Sequence, residues 1–271
     1  SNYSTGTPHE AGMNSAGRVE QQQQSTTSSA QQGLSNNPQQ WGYSMQGKSN
    51  GSGSSDAGAG RPFATGAADA TVESTNETSS NNKFTITRID GTTITLYNIN
   101  NNNPVNNQLV PQNDFSSGAN SNTTIANYGC NFLSIAAIGQ MLVGEALTKA
   151  QLLEVWNKAL QTDCTYQENG QQKSGKVITN EGRVNNPDRL LDLVFEKLGI
   201  TGVGASVGWD ASCGNGSIKG TIVWGDTQYT ATTNNRHATV GDISGNVIWD
   251  PYNPDLTLTK TSKREVYVYA K

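Results

Sequence analysis

The run from Cys130 to Val143, CNFLSIAAIGQMLV, is apolar or small on nearly every face. A helix there has no polar side to give to water, so it must lie at the centre of the fold with other elements around it. Nothing comparable occurs upstream. In residues 1–80 the large aliphatics are Val19, Leu34 and Val72, set among Ser, Gly, Gln, Asn, Thr and Ala, with Gln21 to Gln24 and a Gly/Ser stretch from Ser49 to Gly60. Such a segment buries too little apolar surface to offset its chain entropy, so residues 1–82 are expected to be a disordered low-complexity arm or linker. Trp41, Tyr43 and Phe63 are candidate docking points of this arm on a partner, although isolated aromatics in such tails are more often incidental.

Order is expected from Lys83. Phe84–Ile89 and Thr92–Tyr97 are β-branched runs on either side of Asp90-Gly91, a hairpin pattern, and an Asn-rich connection follows from Asn98 to Asn107. A two-stranded hairpin is marginal in water, so residues 83–107 are more economically a flank of the next domain than a module of their own.

Residues 108–271 then read as one α+β domain. Helices are expected over 130–143, 149–160 and 187–198. The second carries a Thr148/Gln151 capping box and an apolar face of Leu152, Val155, Trp156 and Leu160. The third has Asn186 as N-cap, Pro187 at its first position and Gly199 closing it. Residues 161–184 are polar and read as a loop. From there the period changes to two, and short strands are expected over 221–224, 228–232, 237–243, 247–249 and 265–269. Helices followed by an antiparallel sheet is an α+β order.

The net charge of −4 comes without any Lys/Arg cluster, which argues against a nucleic-acid partner. No apolar run approaches the roughly 18 residues of a membrane span. The histidines are His9 and His237 and no CxxC spacing occurs, so neither a metal site nor a cofactor is expected. The run Asp250–Asp255 lacks the spacing of a calcium loop. Of the cysteines Cys130, Cys164 and Cys213, the last two suit a disulfide in an extracellular protein, and three free thiols suit a reducing compartment; both readings stay open.

Chemistry enters with Cys130. At the first turn of a buried helix, unpaired N–H groups and the helix dipole favour thiolate over thiol. His237 follows on one strand and Asp250 ends the next. Each alone has a bland explanation: a small core hydrophobe, a structural histidine, an Asp-Pro turn. Together, in the order Cys, His, Asp, they form the series of a papain-like cysteine peptidase. Asp242 competes with Asp250 as the acid, but lies five positions from His237 and so on the other face of the same strand.

The segment Thr124–Ala136, TIANYGCNFLSIA, resembles the nucleophile segment of bacteriocin-leader-processing peptidases and their relatives, which usually reads Gly-Cys-Gly-Pro-Thr-Ser-x-Ala-Met. The likeness continues through Leu142-Val143-Gly144 and the helix containing Trp156. Arg236-His237-Ala-Thr-Val-Gly-Asp242 and Gly245-Asn-Val-Ile-Trp-Asp250-Pro251 are similar to the second half of that family. The resemblance covers residues 108–271. It implies a papain-like fold in which the nucleophile-bearing helix packs on an antiparallel sheet. It also implies Cys130 as nucleophile, His237 as general base and then acid, and Asp250 as the group holding the imidazole. Val110-Pro111-Gln112-Asn113-Asp114 matches the setting of the family's oxyanion-hole glutamine, making Gln112 the candidate and Gln108 the fallback.

One departure stands out: Asn131-Phe132-Leu133 replaces Gly-Pro-Thr, so that Phe132 either narrows the cleft, faces the core or marks a domain that has lost its activity. The activity implied is cleavage of a peptide substrate. Peptidoglycan peptides are the first expectation, at a cell surface, outside the cell or on a phage particle, and a protein or leader peptide is the second. A degenerate, non-enzymatic binding module tethered by the arm is the competing class.

Overall fold

The computed structural model describes residues 82–208, 218–228 and 234–271. The arm with its three aromatics, Cys213, and residues 229–232 of an expected strand lie outside the described residues.

The chain opens with β1 (Lys83–Thr87) and β2 (Thr93–Tyr97), antiparallel with Lys83 opposite Tyr97 and Thr87 opposite Thr93. Phe84, Ile86, Leu96 and Ile99 join the same buried cluster as the helices that follow, so the hairpin has no core of its own. A 3₁₀ turn (Gln112–Ser116) leads to α1 (Thr123–Tyr128), whose Asn122 side chain accepts the Ile125 N–H as an N-cap. Then comes α2 (Cys130–Val143), the expected central helix, with every residue buried except Asn131 and Val143. It packs on α4 (Pro187–Lys197) and on the sheet through β7 (Asn234–Gly241). Contact with α4 is close at Gly139, where a Cβ would lie 2.6 Å from Val194 Cγ1. The helix stops at Gly144, in the left-handed region (φ +77°), with the Tyr97 ring where any side chain would go.

The expected capping box opens α3 (Lys149–Gln161), both reciprocal bonds being formed, and Asn186 caps α4 by accepting the Arg189 N–H. Between these helices the expected loop is a hairpin, β3 (Asp163–Glu168) with β4 (Gln171–Lys176). Its signal is Asn169-Gly170, both residues at positive φ, as a two-residue turn of this kind requires. Polar flanks without hydrophobic alternation conceal it.

The main sheet is antiparallel throughout, in the order β5 (Val203–Gly208), β9 (Thr259–Ala270), β6 (Ile218–Gln228), β7 (Asn234–Gly241), β8 (Val247–Trp249). Strand β5 was not expected from the sequence. All six of its residues are buried, with β9 paired along its edge and α4 packed on it, so it shows no alternation, and Gly204 leaves room for the Tyr269 ring beside it. Helices on one side of an antiparallel sheet make this an α+β architecture.

Candidate active site

Cys130 is the first residue of α2, and its place is fixed by how α1 and α2 meet. They are joined through Gly129 alone, where a Cβ would fall 2.5 Å from the Ile125 carbonyl oxygen, so the joint accepts only glycine in this conformation. One turn further on, the buried Ser134 hydroxyl donates to the Ala238 carbonyl of β7 at 3.0 Å. Ala238 adjoins His237. A single hydrogen bond thus sets the height of α2 against β7 and brings Cys130 level with the imidazole.

Asp250 arrives by strand pairing. Val240 on β7 faces Trp249 on β8, so the next residue along, Asp250, lies diagonally across from His237. The hairpin between them is turned by Asp242, whose Oδ1 accepts the N–H groups of Ser244 and Asn246 at 2.9 Å each. The rival acid therefore builds the turn and does not meet the histidine.

His237 Nε2 lies 2.6 Å from Asp250 Oδ1, and both residues are 4 % exposed. The same carboxylate accepts the Tyr252 N–H on Oδ1 at 2.7 Å and the Leu256 N–H on Oδ2 at 2.8 Å. It is held from three directions and cannot turn away from the ring. With Nε2 engaged, Nδ1 is the ring nitrogen left for another partner, and the Cys130 side chain lies near enough to act on the imidazole. Burial disfavours the charged ring, but the Asp250 charge and hydrogen bond, reinforced by Cys130, outweigh it and His237 is pushed up to about 10. The imidazole is therefore protonated at neutral pH. Asp255 sits close enough to feel both partners: burial and then the Asp250 charge hold its carboxyl above the usual range, with His237 opposing.

Gln112 is 3 % exposed in the 3₁₀ turn, and its Nε2 donates to the Ala126 carbonyl at 2.8 Å. That carbonyl lies four residues before Cys130, the acceptor a continuous helix would offer to the Cys130 N–H. The bond fixes the amide orientation and leaves the second Nε2 hydrogen uncommitted, while the buried Oε1 has no partner. The fallback, Gln108, is exposed and bonds locally to the Pro104 carbonyl at 3.0 Å. Phe132 is fully buried, with its ring edge-on to Trp156 at a centroid distance of 5.0 Å. It faces the core.

The structure thus brings Cys130, His237 and Asp250 together, with Gln112 one helical turn from the cysteine. Sequence reasoning gave no role to Ser134, although it lies on the Cys130 face one turn along, nor to Asp255. Both follow only from the pairing of distant segments. Cys164 is a free, half-buried thiol on β3. Among the described residues no group of three or more His, Cys, Asp and Glu side chains could hold a metal, and no helix is long and apolar enough to cross a membrane. No family model, curated protein or solved structure matches the chain.

Proposed function

We propose that residues 108–271 are a papain-like cysteine peptidase that cleaves an amide bond through an acyl-enzyme on Cys130. The observation carrying this reading is the buried His237–Asp250 pair at 2.6 Å, with the Cys130 side chain close enough to act on the same ring. An imidazolium fixed beside a thiol at a helix start favours the thiolate, the attacking species.

In the first step the sulfur adds to the scissile carbonyl. The oxygen that becomes negative is stabilised by the Gln112 amide and the Cys130 backbone N–H. As the tetrahedral intermediate collapses, the C–N bond breaks and His237 passes its proton to the departing amine. A water then gives a proton to His237 and attacks the thioester, and the sulfur leaves as thiolate, restoring the thiolate–imidazolium pair and releasing the acid. Asp250 keeps the ring oriented throughout and offsets its charge.

The substrate class we infer is a cell-wall peptide, a stem or cross-bridge of peptidoglycan. The domain then works at a cell surface, outside the cell or on a phage particle, with residues 1–82 as its tether. That assignment rests on analogy with the resembling peptidases. Phe132, the residue that most favours a binding module, packs into the core and lends that alternative no support. The test is digestion of purified sacculi with the full chain and with Cys130→Ala. New amino groups released by the wild type alone support the reading. Silence from both on sacculi and on an unfolded protein such as casein would sink it, and cleavage of casein alone would redirect the substrate.

A further inference from the structure

Two pairs of segments hold the candidate site together, and only one of them is made through catalytic side chains' immediate neighbours on α2 and β7. The other joins the 3₁₀ turn to the loop after β8. There the Gln112 N–H donates to the Pro251 carbonyl at 2.6 Å, and Asn113 forms a reciprocal pair with the backbone of Asn253: its Nδ2 donates to the Asn253 carbonyl at 2.9 Å and its Oδ1 accepts the Asn253 N–H at 2.9 Å. These three bonds join Gln112 and Asn113 to Pro251 and Asn253 and close a loop of about 140 residues.

We infer that Asn113 is a positioning residue which, through its two-bond clasp on Asn253, holds the Gln112 oxyanion donor and the Asp250 carboxylate in one rigid unit. The inference rests on the peptidase reading above and deepens it. Its physical content is specific. Asp250 keeps its direction because Tyr252 and Leu256 donate to it, and both belong to the loop whose path Asn253 fixes. Gln112 keeps its place because its own backbone is hydrogen-bonded to Pro251, the residue between Asp250 and Tyr252. Releasing Asn253 loosens the donors on both sides of that carboxylate. Asn113 itself is half-buried and spends its side-chain amide on the Asn253 backbone, so its removal leaves the reacting groups chemically intact.

The consequence is legible without a substrate, because the chain holds two histidines, His9 and His237, and proton NMR of the full chain separates their titrations. The groups acting on the His237 ring are Asp250 from the end of β8, Cys130 from α2 and Asp255 from the same loop as Asp250. In Asn113→Ala the Asp250 carboxylate loses its fixed direction. The His237 midpoint is then expected to fall by about one unit while His9 stays where it was, a shift equal to about a tenfold change in proton affinity.

Thr148→Ala is the control, since it removes a cap bond of α3 and none of the bonds to the loop after β8, and should leave His237 unmoved. An unchanged midpoint in Asn113→Ala overturns the inference, as does an equal shift in Thr148→Ala, which would signify general loosening. Failure of the peptidase reading shows separately: iodoacetamide labelling of Cys130 would then proceed at one rate in wild type and in His237→Ala, whatever Asn113→Ala does to the midpoint.

Discussion

Cys130 and Cys164 are both free thiols in this fold, and they differ in everything that decides thiol chemistry. Cys130 starts the central helix close to the His237 imidazole, whose pKa is pushed up to about 10. Cys164 lies on the β3–β4 hairpin next to Asp163, where burial first and the neighbouring carboxylate second push its thiol up to about 11. Burial and a carboxylate suppress the anion at Cys164, whereas the group beside Cys130 is a cationic ring. Residue type alone would have treated the two as equals; the sign of the charge placed beside each sulfur separates them.

Replacing His237 by Ala should erase that separation, and it carries the largest effect. Peptide hydrolysis is expected to fall on the order of 10⁴-fold, as it does when a triad base is lost. Alkylation of Cys130 by iodoacetamide at neutral pH should slow by roughly tenfold or more. Cys164 should label at its former, slow rate. Equal Cys130 labelling in wild type and variant, tracked by peptide mass, would show that the imidazole does not act on the sulfur.

Next in size is the effect of pH on stability. The His237 pKa is raised in the folded chain, from an ordinary 6.5 to about 10, so the native state binds the proton more tightly than the unfolded state. The stabilisation is fully present below about pH 6.5 and is lost as pH rises towards 10. Urea midpoints should therefore decline across that alkaline window. In Asp250→Asn the decline should flatten, because the charge that raises the histidine is gone. A wild-type midpoint that stays level from pH 7 to 10 would contradict the buried ion pair. The variant Cys164→Ser should follow the wild type up to about pH 9 and decline less above it, because the Cys164 thiol, raised to about 11, also holds its proton more tightly in the folded chain.

Much of this site was legible in the chain because its members announce themselves locally. An apolar run bounded by Gly129 and Gly144 marked the limits of α2, and Thr148, Gln151 and Asn186 marked the starts of α3 and α4. His237 and Asp250 could be paired because strand alternation disposes of Asp242. What escaped depends on partners far away in sequence. Strand β5, buried at all six residues, is a strand through its pairing with β9 and its packing on α4, and the β3–β4 hairpin lacks the alternation that a half-buried strand shows. Ser134 carries no signal by itself; its role comes from an acceptor 104 residues away.

That bond gives a third test. Ser134→Ala removes the hydroxyl and leaves the buried Ala238 carbonyl without its donor, a cost of about 1–3 kcal/mol. Because the bond levels α2 against β7, Cys130 labelling should slow along with the loss of thermal stability, though by less than in His237→Ala. A variant that is destabilised but labels Cys130 at the wild-type rate would show that the hydroxyl supports the fold without aligning the sulfur.

The smallest effect belongs to the other thiol. Asp163 is the second contribution to the high Cys164 pKa, after burial, and Arg189 opposes both. Asp163→Asn removes the carboxylate charge but leaves the burial, so the Cys164 midpoint should drop only part of the way back to the usual thiol range. Asp163 also pairs with Lys176 at 2.6 Å on an exposed surface, a contact worth little to stability, so the fold should be unaffected. Cys130 labelling, measured in the same digest, should not move. If Cys164 remained as resistant as before, burial alone would account for its inertness. If it came to match Cys130, the neighbouring carboxylate would be the whole of the difference and the imidazole beside Cys130 would have no distinct part to play.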